Sequence, residues 1–337
     1  MKRNAMIRII LWSLALVILL GLMCAGLSVS LYKNNANTDM TYHNSAQVSG
    51  ETAEHANIFS TPDLGGKIVC SLAADTPVQI TRQENVDGQA WAYVVEPEEG
   101  WIPASMLKTP SQNITDLDID WASGSITIEP GDVATIQATE SASGDIQSPM
   151  VCRQEGSKLK ISFNETSSSP TLVLNKGTKK DLTILVPQGT VLRSLDVDAA
   201  SADLSVKNLT VRQVEIETAS GEAFFDGCQV EELDLDTASG DLDFRGNLKV
   251  LECDSASASI YAELDNVPDH ISIDTMSGDL ELLLPENAGF TVGMDTMSKH
   301  FSSDFETRLE NGRYVCADGA CRIDVDAMSG KVTIRRK

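Results

Sequence analysis

A single phrase recurs down most of this chain, and it leaves few folds open. It runs: two alternating apolar residues, an acid, a small residue, Ala or Met, Ser, usually Gly, then two more alternating apolar residues. Its serines are Ser123, Ser143, Ser201, Ser220, Ser239, Ser257, Ser277, Ser298 and Ser329, and from Ser201 to Ser298 they fall about 18–21 residues apart. A fixed period of that length is the mark of a repeat architecture. The flanks alternate with period two, so each unit reads as strand, tight corner, strand.

Aligning the copies produces columns. Six residues before the serine stand Leu117, Leu195, Val214, Leu233, Leu251, Ile271, Val292 and Ile323. Four before it stand Ile119, Val197, Ile216, Leu235, Cys253, Ile273, Met294 and Val325. Three after it stand Ile126, Ile146, Leu204, Ala223, Leu242, Ile260, Leu280, Phe301 and Val332. These columns are expected to point inward, each residue stacked on its equivalent in the next coil. Glycine at the corner suits a positive φ. One coil cannot bury its own apolar face, and stacking coils about 4.8 Å apart solves that.

The phrases Asp236-Thr237-Ala238-Ser239-Gly240-Asp241 and Asp274-Thr275-Met276-Ser277-Gly278-Asp279 resemble the recurring core of the putative-adhesin β-strand-repeat family, a bacterial domain of unknown function. The lead-in Leu182-Thr183-Ile184-Leu185-Val186-Pro187 and the longer insert from His300 to Cys321 resemble it too. The resemblance covers residues 114–337 and implies a β-solenoid of about 19–20-residue coils. It says little about function, because a fold does not fix one.

Lys2, Arg3 and Arg8 precede an uncharged apolar run from Ile9 to Tyr32. At 1.5 Å per residue that run is long enough to cross a hydrocarbon core of about 30 Å. It is expected to be an uncleaved transmembrane helix at 9–32. Cleavage near Ser28-Val29-Ser30 and a lipid on Cys24 are the weaker readings. The basic flank puts a tail, 1–8, in the cytoplasm and the rest outside. Residues 33–53, rich in Asn, Ser and Thr, read as a flexible linker. The formal net charge of −23 excludes nonspecific nucleic-acid binding, which needs a basic surface.

Residues 54–108 have another texture. Lys67–Leu72, Pro77–Ile80, Trp91–Val95 and Gly100–Leu107 read as short strands between turns, which suggests a small barrel. Gly100-Trp101-Ile102-Pro103-Ala104-Ser105-Met106-Leu107 resembles the closing marker of the bacterial SH3-like domain. The start departs from that family, with Phe59-Ser60-Thr61-Pro62 where an Arg-Ser-Gly-Pro-type turn is common. The resemblance implies binding of cell-wall peptidoglycan or a surface glycan. Trp91, Tyr93 and Trp101 are the ligand-binding candidates, with a place in the barrel core as the competing reading.

Seven cysteines occur without a CxxC pair, so a structural zinc site is not expected. Cys316 and Cys321 enclose a turn-like loop and are the expected disulfide, since disulfides are allowed outside the cytoplasm. An acidic column stands three residues before each serine: Asp120, Glu140, Asp198, Glu217, Asp236, Asp254, Asp274, Asp295 and Asp326. Like charges at the coil spacing repel unless cations intervene. Calcium there is one reading, and a solvated corner whose acids accept corner amides is the expectation. The histidines, His43, His55, His270 and His300, are scattered, and no nucleophile elbow, His-Glu-x-x-His or phosphate loop appears. No catalytic residue, metal or cofactor is expected.

The sequence thus reads as an all-β chain: an SH3-like barrel followed by a β-solenoid, behind one N-terminal transmembrane helix. The function expected is non-catalytic: a single-pass envelope protein holding wall material or a surface protein partner. Two alternatives stand beside it, an accessory regulator of envelope-stress signalling and a solenoid enzyme acting on polysaccharide.

Overall fold

Alternating side chains become strands wherever one face can be buried. In a computed structural model the described residues are 41–45, 48–86, 88–107, 114–133, 135–143, 150–163, 179–297 and 300–337. They are nearly all β, with one short 3₁₀ turn at Ala104–Met106. Among them no helix is long and apolar enough to cross a membrane, and the apolar run 9–32 lies outside them. The described residues fall into two compact units, Met40–Asp198 and Ala199–Lys337.

The second unit is a stack of parallel coils. One ladder runs through Thr210–Thr218, Ala223–Thr237, Leu242–Ser257, His270–Ser277, Cys321–Ser329 and Phe290–Thr296. A second runs through Ala223–Thr237, Leu242–Ser257, Ile260–Leu264, Leu280–Leu284, Lys331–Arg336 and His300–Ser303. Within the first, Val214, Leu233, Leu251, Ile271, Ile323 and Val292 occupy successive rungs and are all buried. Phe225 and Phe244 stack across neighbouring rungs at 5.5 Å. The inward columns therefore hold through the stack, with Met294 and Phe301 half-buried at its far rung.

The order of that stack is not the order of the chain. The coil ending at Ser329 pairs with the coil of Ser277 on one side and with Phe290–Thr296 on the other. Consecutive coils were expected to be neighbours throughout. The insert explains the exception. Arg308–Glu310 and Arg313–Cys316 form a hairpin, and Arg313–Cys316 pairs antiparallel with Phe290–Thr296. The chain thus turns over the outer edge of that strand and returns on its inner side, so the hairpin covers an edge that would otherwise be free to pair with another chain.

The corner demands glycine where coils nearly touch. Gly221 has φ 138°, and a Cβ there would lie 2.3 Å from the Ala202 carbonyl oxygen. Gly278 repeats the arrangement against Ala258. No L side chain fits without moving backbone.

In the first unit, the long strand Asp116–Gly131 pairs in parallel with Lys158–Ser162 and then with Lys180–Pro187. Lys180–Pro187 also pairs antiparallel with Gln137–Ser143. That puts Lys180 and Glu140 on one face. Both are buried, with Nζ 3.1 Å from Oε2. Lys180 Nζ also donates to the Phe163 carbonyl at 2.8 Å and sits 4.2 Å from the Phe163 ring centroid. The Met150 amide donates to Glu140 Oε1. A separate sheet of six strands is antiparallel, in the order Val48–Glu51, Pro77–Val86, Gln89–Glu96, Gly100–Pro103, Ala56–Phe59, Ile68–Leu72. One face packs a core of Ile58, Val78, Ile80, Ala92, Val94 and Ile102.

Two expected outcomes test these contacts. Gly221→Ala should destabilise the fold by about 1–3 kcal/mol, read from the urea midpoint, while Gly88→Ala, with open space around it, should cost less. Lys180→Met should cost about 3–5 kcal/mol by leaving Glu140 buried without its cation, and adding Glu140→Gln should recover much of that loss.

Candidate functional site

The six-stranded sheet brings the three aromatic candidates together. Alternation along Gln89–Glu96 sends Ala92 and Val94 to the main core and Trp91 and Tyr93 to the opposite face. Trp101 lies directly across from Tyr93, with ring centroids 5.1 Å apart, and Phe59 meets Trp91 edge-on at 5.7 Å. Phe59, Trp91 and Trp101 make a second small core of their own. Trp91 is 2% exposed and Trp101 6%. Neither indole offers a face for a sugar or peptide to stack on, so the core reading of the two tryptophans describes this structure. Tyr93 is half-buried, and its hydroxyl reaches Glu99 at 3.5 Å.

Cys316 and Cys321 are both buried, and they and the other described cysteines are free thiols. The expected disulfide is therefore corrected. Cys316 pairs with Phe290 from one side of its strand and Cys321 from the other. Two strand spacings separate them, about 9–10 Å between Cα atoms, whereas a disulfide needs less than about 7 Å. Burial pushes the Cys152, Cys253 and Cys321 thiols up to about 12, which leaves them protonated and unreactive at neutral pH.

The acidic column is real and continuous in the coil stack. Glu217, Asp236, Asp254, Asp274, Asp326 and Asp295 occupy successive rungs. A second file two residues earlier holds Glu215, Asp234, Glu252 and, past Ser272, Asp324. Both files point outward, because the residues between them point in. At the far end Arg313 and Arg322 pair with Asp324 and hold its carboxyl low against the opposing effect of burial. Along the middle of the file burial and the neighbouring acids act in the same direction. Partial burial, then Asp234, Asp254, Glu217 and Glu215, push Asp236 up to about 6. Partial burial, then Asp254 and Asp326, do the same to Asp274.

The acids two residues after each serine have a different task. Asp203, Asp241 and Asp279 accept the backbone amides of Glu222, Ser259 and Lys331 from the next coil. These are corner ties. Among the described residues no group of three or more His, Cys, Asp or Glu side chains could hold a metal ion. In-register stacking explains this: it sets carboxylates side by side and does not converge them.

Two features escaped the sequence reading. Thr218, Thr237, Ser255, Thr275 and Thr296 form a buried hydroxyl column inside the corners. Ser255 Oγ donates to Thr275 Oγ1 at 2.8 Å, and Thr237 Oγ1 accepts the Gly240 amide at 2.8 Å. The recurrence of Thr or Ser two before the repeat serine was its signal. Arg193, which the sequence reading did not single out, pairs with buried Asp116 at 2.8 Å. Although burial opposes it, hydrogen bonds from Arg193, Ser194, Ser157 and Thr115 bring the Asp116 carboxyl down to about 2.

The cavity lined by Ala258, Ile273, Gly278, Leu280 and Val332 has a volume of about 10 Å³, room for one water at most.

The stacked coils and their recurring corner match a family model, Toastrack DUF4097, over residues 114–335. The chain belongs to the Toastrack DUF4097 family. Its fold is a β-solenoid. No curated protein matches the chain. Similar solved structures include a putative cell adhesion protein from Clostridium sporogenes, at 13% identity, 68% of this chain and 96% of that chain covered, TM-score 0.31. A putative adhesin from Bacteroides fragilis has 12% identity, covers 68% and 94%, and has a TM-score of 0.35. A putative lipid binding protein from Parabacteroides distasonis has 13% identity, covers 67% and 94%, and has a TM-score of 0.34.

The acidic files carry a pH signature. A carboxyl raised to about 6 in the folded state, against 3.8 for the ordinary group, binds more protons folded than unfolded between those values. Asp236 and Asp274 therefore stabilise the fold least once ionised, and that contribution falls as pH rises from about 4 through 6. Both retain contact with water, so salt screens the effect. Thermal melts at low salt should show the fold losing stability from pH 5 to pH 7. Asp236→Asn with Asp274→Asn should flatten that slope, and 0.5 M NaCl should shrink it; an unchanged slope in the double variant would refute these two carboxyls as its origin.

Proposed function

We propose that this Toastrack protein is a membrane-anchored, non-catalytic component of the cell envelope. Its solenoid presents the acidic files to a cationic surface partner, and amine-bearing wall peptides are the first class to consider. The apolar run 9–32 behind a basic flank supplies the anchor in this reading. The sheet at 54–108 is then an SH3-like barrel that spaces the solenoid from the membrane.

The observation that carries the reading is the outward acidic file from Glu217 to Asp295, held in register on consecutive rungs, with the second file from Glu215 to Asp324 beside it, broken at Ser272. Repulsion makes such a surface unfavourable unless something gains from it. A polymer with spaced amines gains at every rung, so many weak contacts add up to one firm attachment. The burial of Trp91 and Trp101 favours this face over the barrel as the place to look for wall binding.

Co-sedimentation of the full chain with purified cell-wall sacculi tests it. Pelleting is expected at 20 mM NaCl and lost at 500 mM. Asp236→Asn, Asp254→Asn and Asp274→Asn together should weaken it at least tenfold, and acetylating the sacculus amines should do the same. Pelleting that survives the three substitutions but fails in Tyr93→Ala would hand the role to the barrel. Absence of pelleting under all conditions would reject a wall partner.

A further inference from the structure

Three methionines replace the small residue before the repeat serine in the last coils: Met276, Met297 and Met328. Earlier coils have Ala219, Ala238 and Ala256 at that place, so the corner itself does not need a long side chain. A larger residue there could be expected to pack under the closing insert. It does not. Met276 is 42% exposed, Met328 49% and Met297 83%, and they are three of the large apolar side chains left open to solvent.

The register sets them side by side. Thr275 pairs with Ala327 and Ser277 with Ser329, which brackets Met276 against Met328. Thr296 also pairs with Ala327, which places Met297 next along on the opposite side of Met328. Thr275, Thr296 and Ala327 point inward and are buried, so all three methionines emerge on the outer face. The intercalated last coil creates this row: in chain order Met328 would be the third, and in the stack it is the middle one. Neighbouring Cα atoms are about 4.8 Å apart. Two residues back on the same outer face stand Asp274, Asp326 and Asp295, about 7 Å along each strand.

From this arrangement we infer that Met276, Met328 and Met297 form a three-thioether site for a soft monovalent cation, Cu(I) or Ag(I). Thioether sulfur selects soft ions of this kind, and hard cations decline it. Methionine has three rotatable side-chain bonds, so sulfurs on adjacent rungs converge where the short aspartates beside them do not. Three ligands satisfy a soft monovalent ion, whereas calcium takes six to eight oxygens. The flanking carboxylates supply negative potential and leave the sulfurs as the ligands. Binding needs no rearrangement of the core, because every atom involved is already outside it.

The test is anaerobic titration of the full chain with Cu(I) supplied as its acetonitrile complex, which holds the ion only weakly. The native chain should bind one equivalent through this row. The variant M276L/M297L/M328L should bind at least tenfold more weakly, with an unchanged thermal midpoint because the substituted side chains are exposed. Leucine keeps the apolar surface and removes only the sulfur, and the cysteines are common to both proteins, so the difference reads the thioethers. M328L alone should also weaken binding, since it removes the central ligand. Equal copper uptake and affinity in the native and triple-leucine chains would overturn the assignment.

Discussion

The stacking of equivalent residues at a single backbone spacing governs everything else in the coil domain. Parallel hydrogen bonding between rungs puts each residue about 4.8 Å from its counterpart and gives it no other choice of neighbour. Apolar positions gain from this, because Val214, Leu233, Leu251 and Ile271 meet like with like and exclude water along the whole column. Charged positions cannot escape it. Asp236 has Glu217 on one side and Asp254 on the other because the inward neighbours are so placed. The acidic face and the apolar core are two results of one register, and neither can be moved by a rung without moving the other.

The corner is where that register is set. Glycine lets adjacent backbones approach, the buried Thr or Ser closes the turn with its hydroxyl, and the acid two residues after the serine takes an amide from the next coil. Each of these groups is short. A short corner leaves the residue before the serine free to be Ala or Met without disturbing packing. Sequence variation at that place is therefore cheap for the fold, and long side chains there sit in solvent.

This division of labour decides what the sequence made legible. The inward columns could be read because burial forces a period of two on residues such as Leu235 and Ile273. The corner glycines could be read because their backbone has few substitutes. The order of coils could not, because Ile271, Ile323 and Val292 suit the same column equally well, and hydrophobic pattern carries no record of which coil follows which. The intercalation also misled the cysteine reading: a five-residue separation looks like a turn closed by a disulfide, but the chain passes from one side of Phe290–Thr296 to the other within it. Trp91 and Trp101 were ambiguous for a related reason. Alternation assigns them to the face opposite Ala92 and Val94, and only the packing of Phe59 against them shows that this face is also filled. The Lys180–Glu140 pair was hidden because long-range pairing of two strands, forty residues apart, places it.

The hairpin at the last coil ties these points to the biology of an exposed β surface. A stack of parallel rungs ends in an unpaired strand, and an unpaired strand invites another chain. Arg313–Cys316 runs antiparallel across Phe290–Thr296, which no additional coil of the repeat could do. Arg313 then reaches past that strand to Asp324 on the next rung in, which Arg322 also pairs. The cap thus ends the hydrogen-bond ladder on the strand that carries Asp295, the last acid of the longer file.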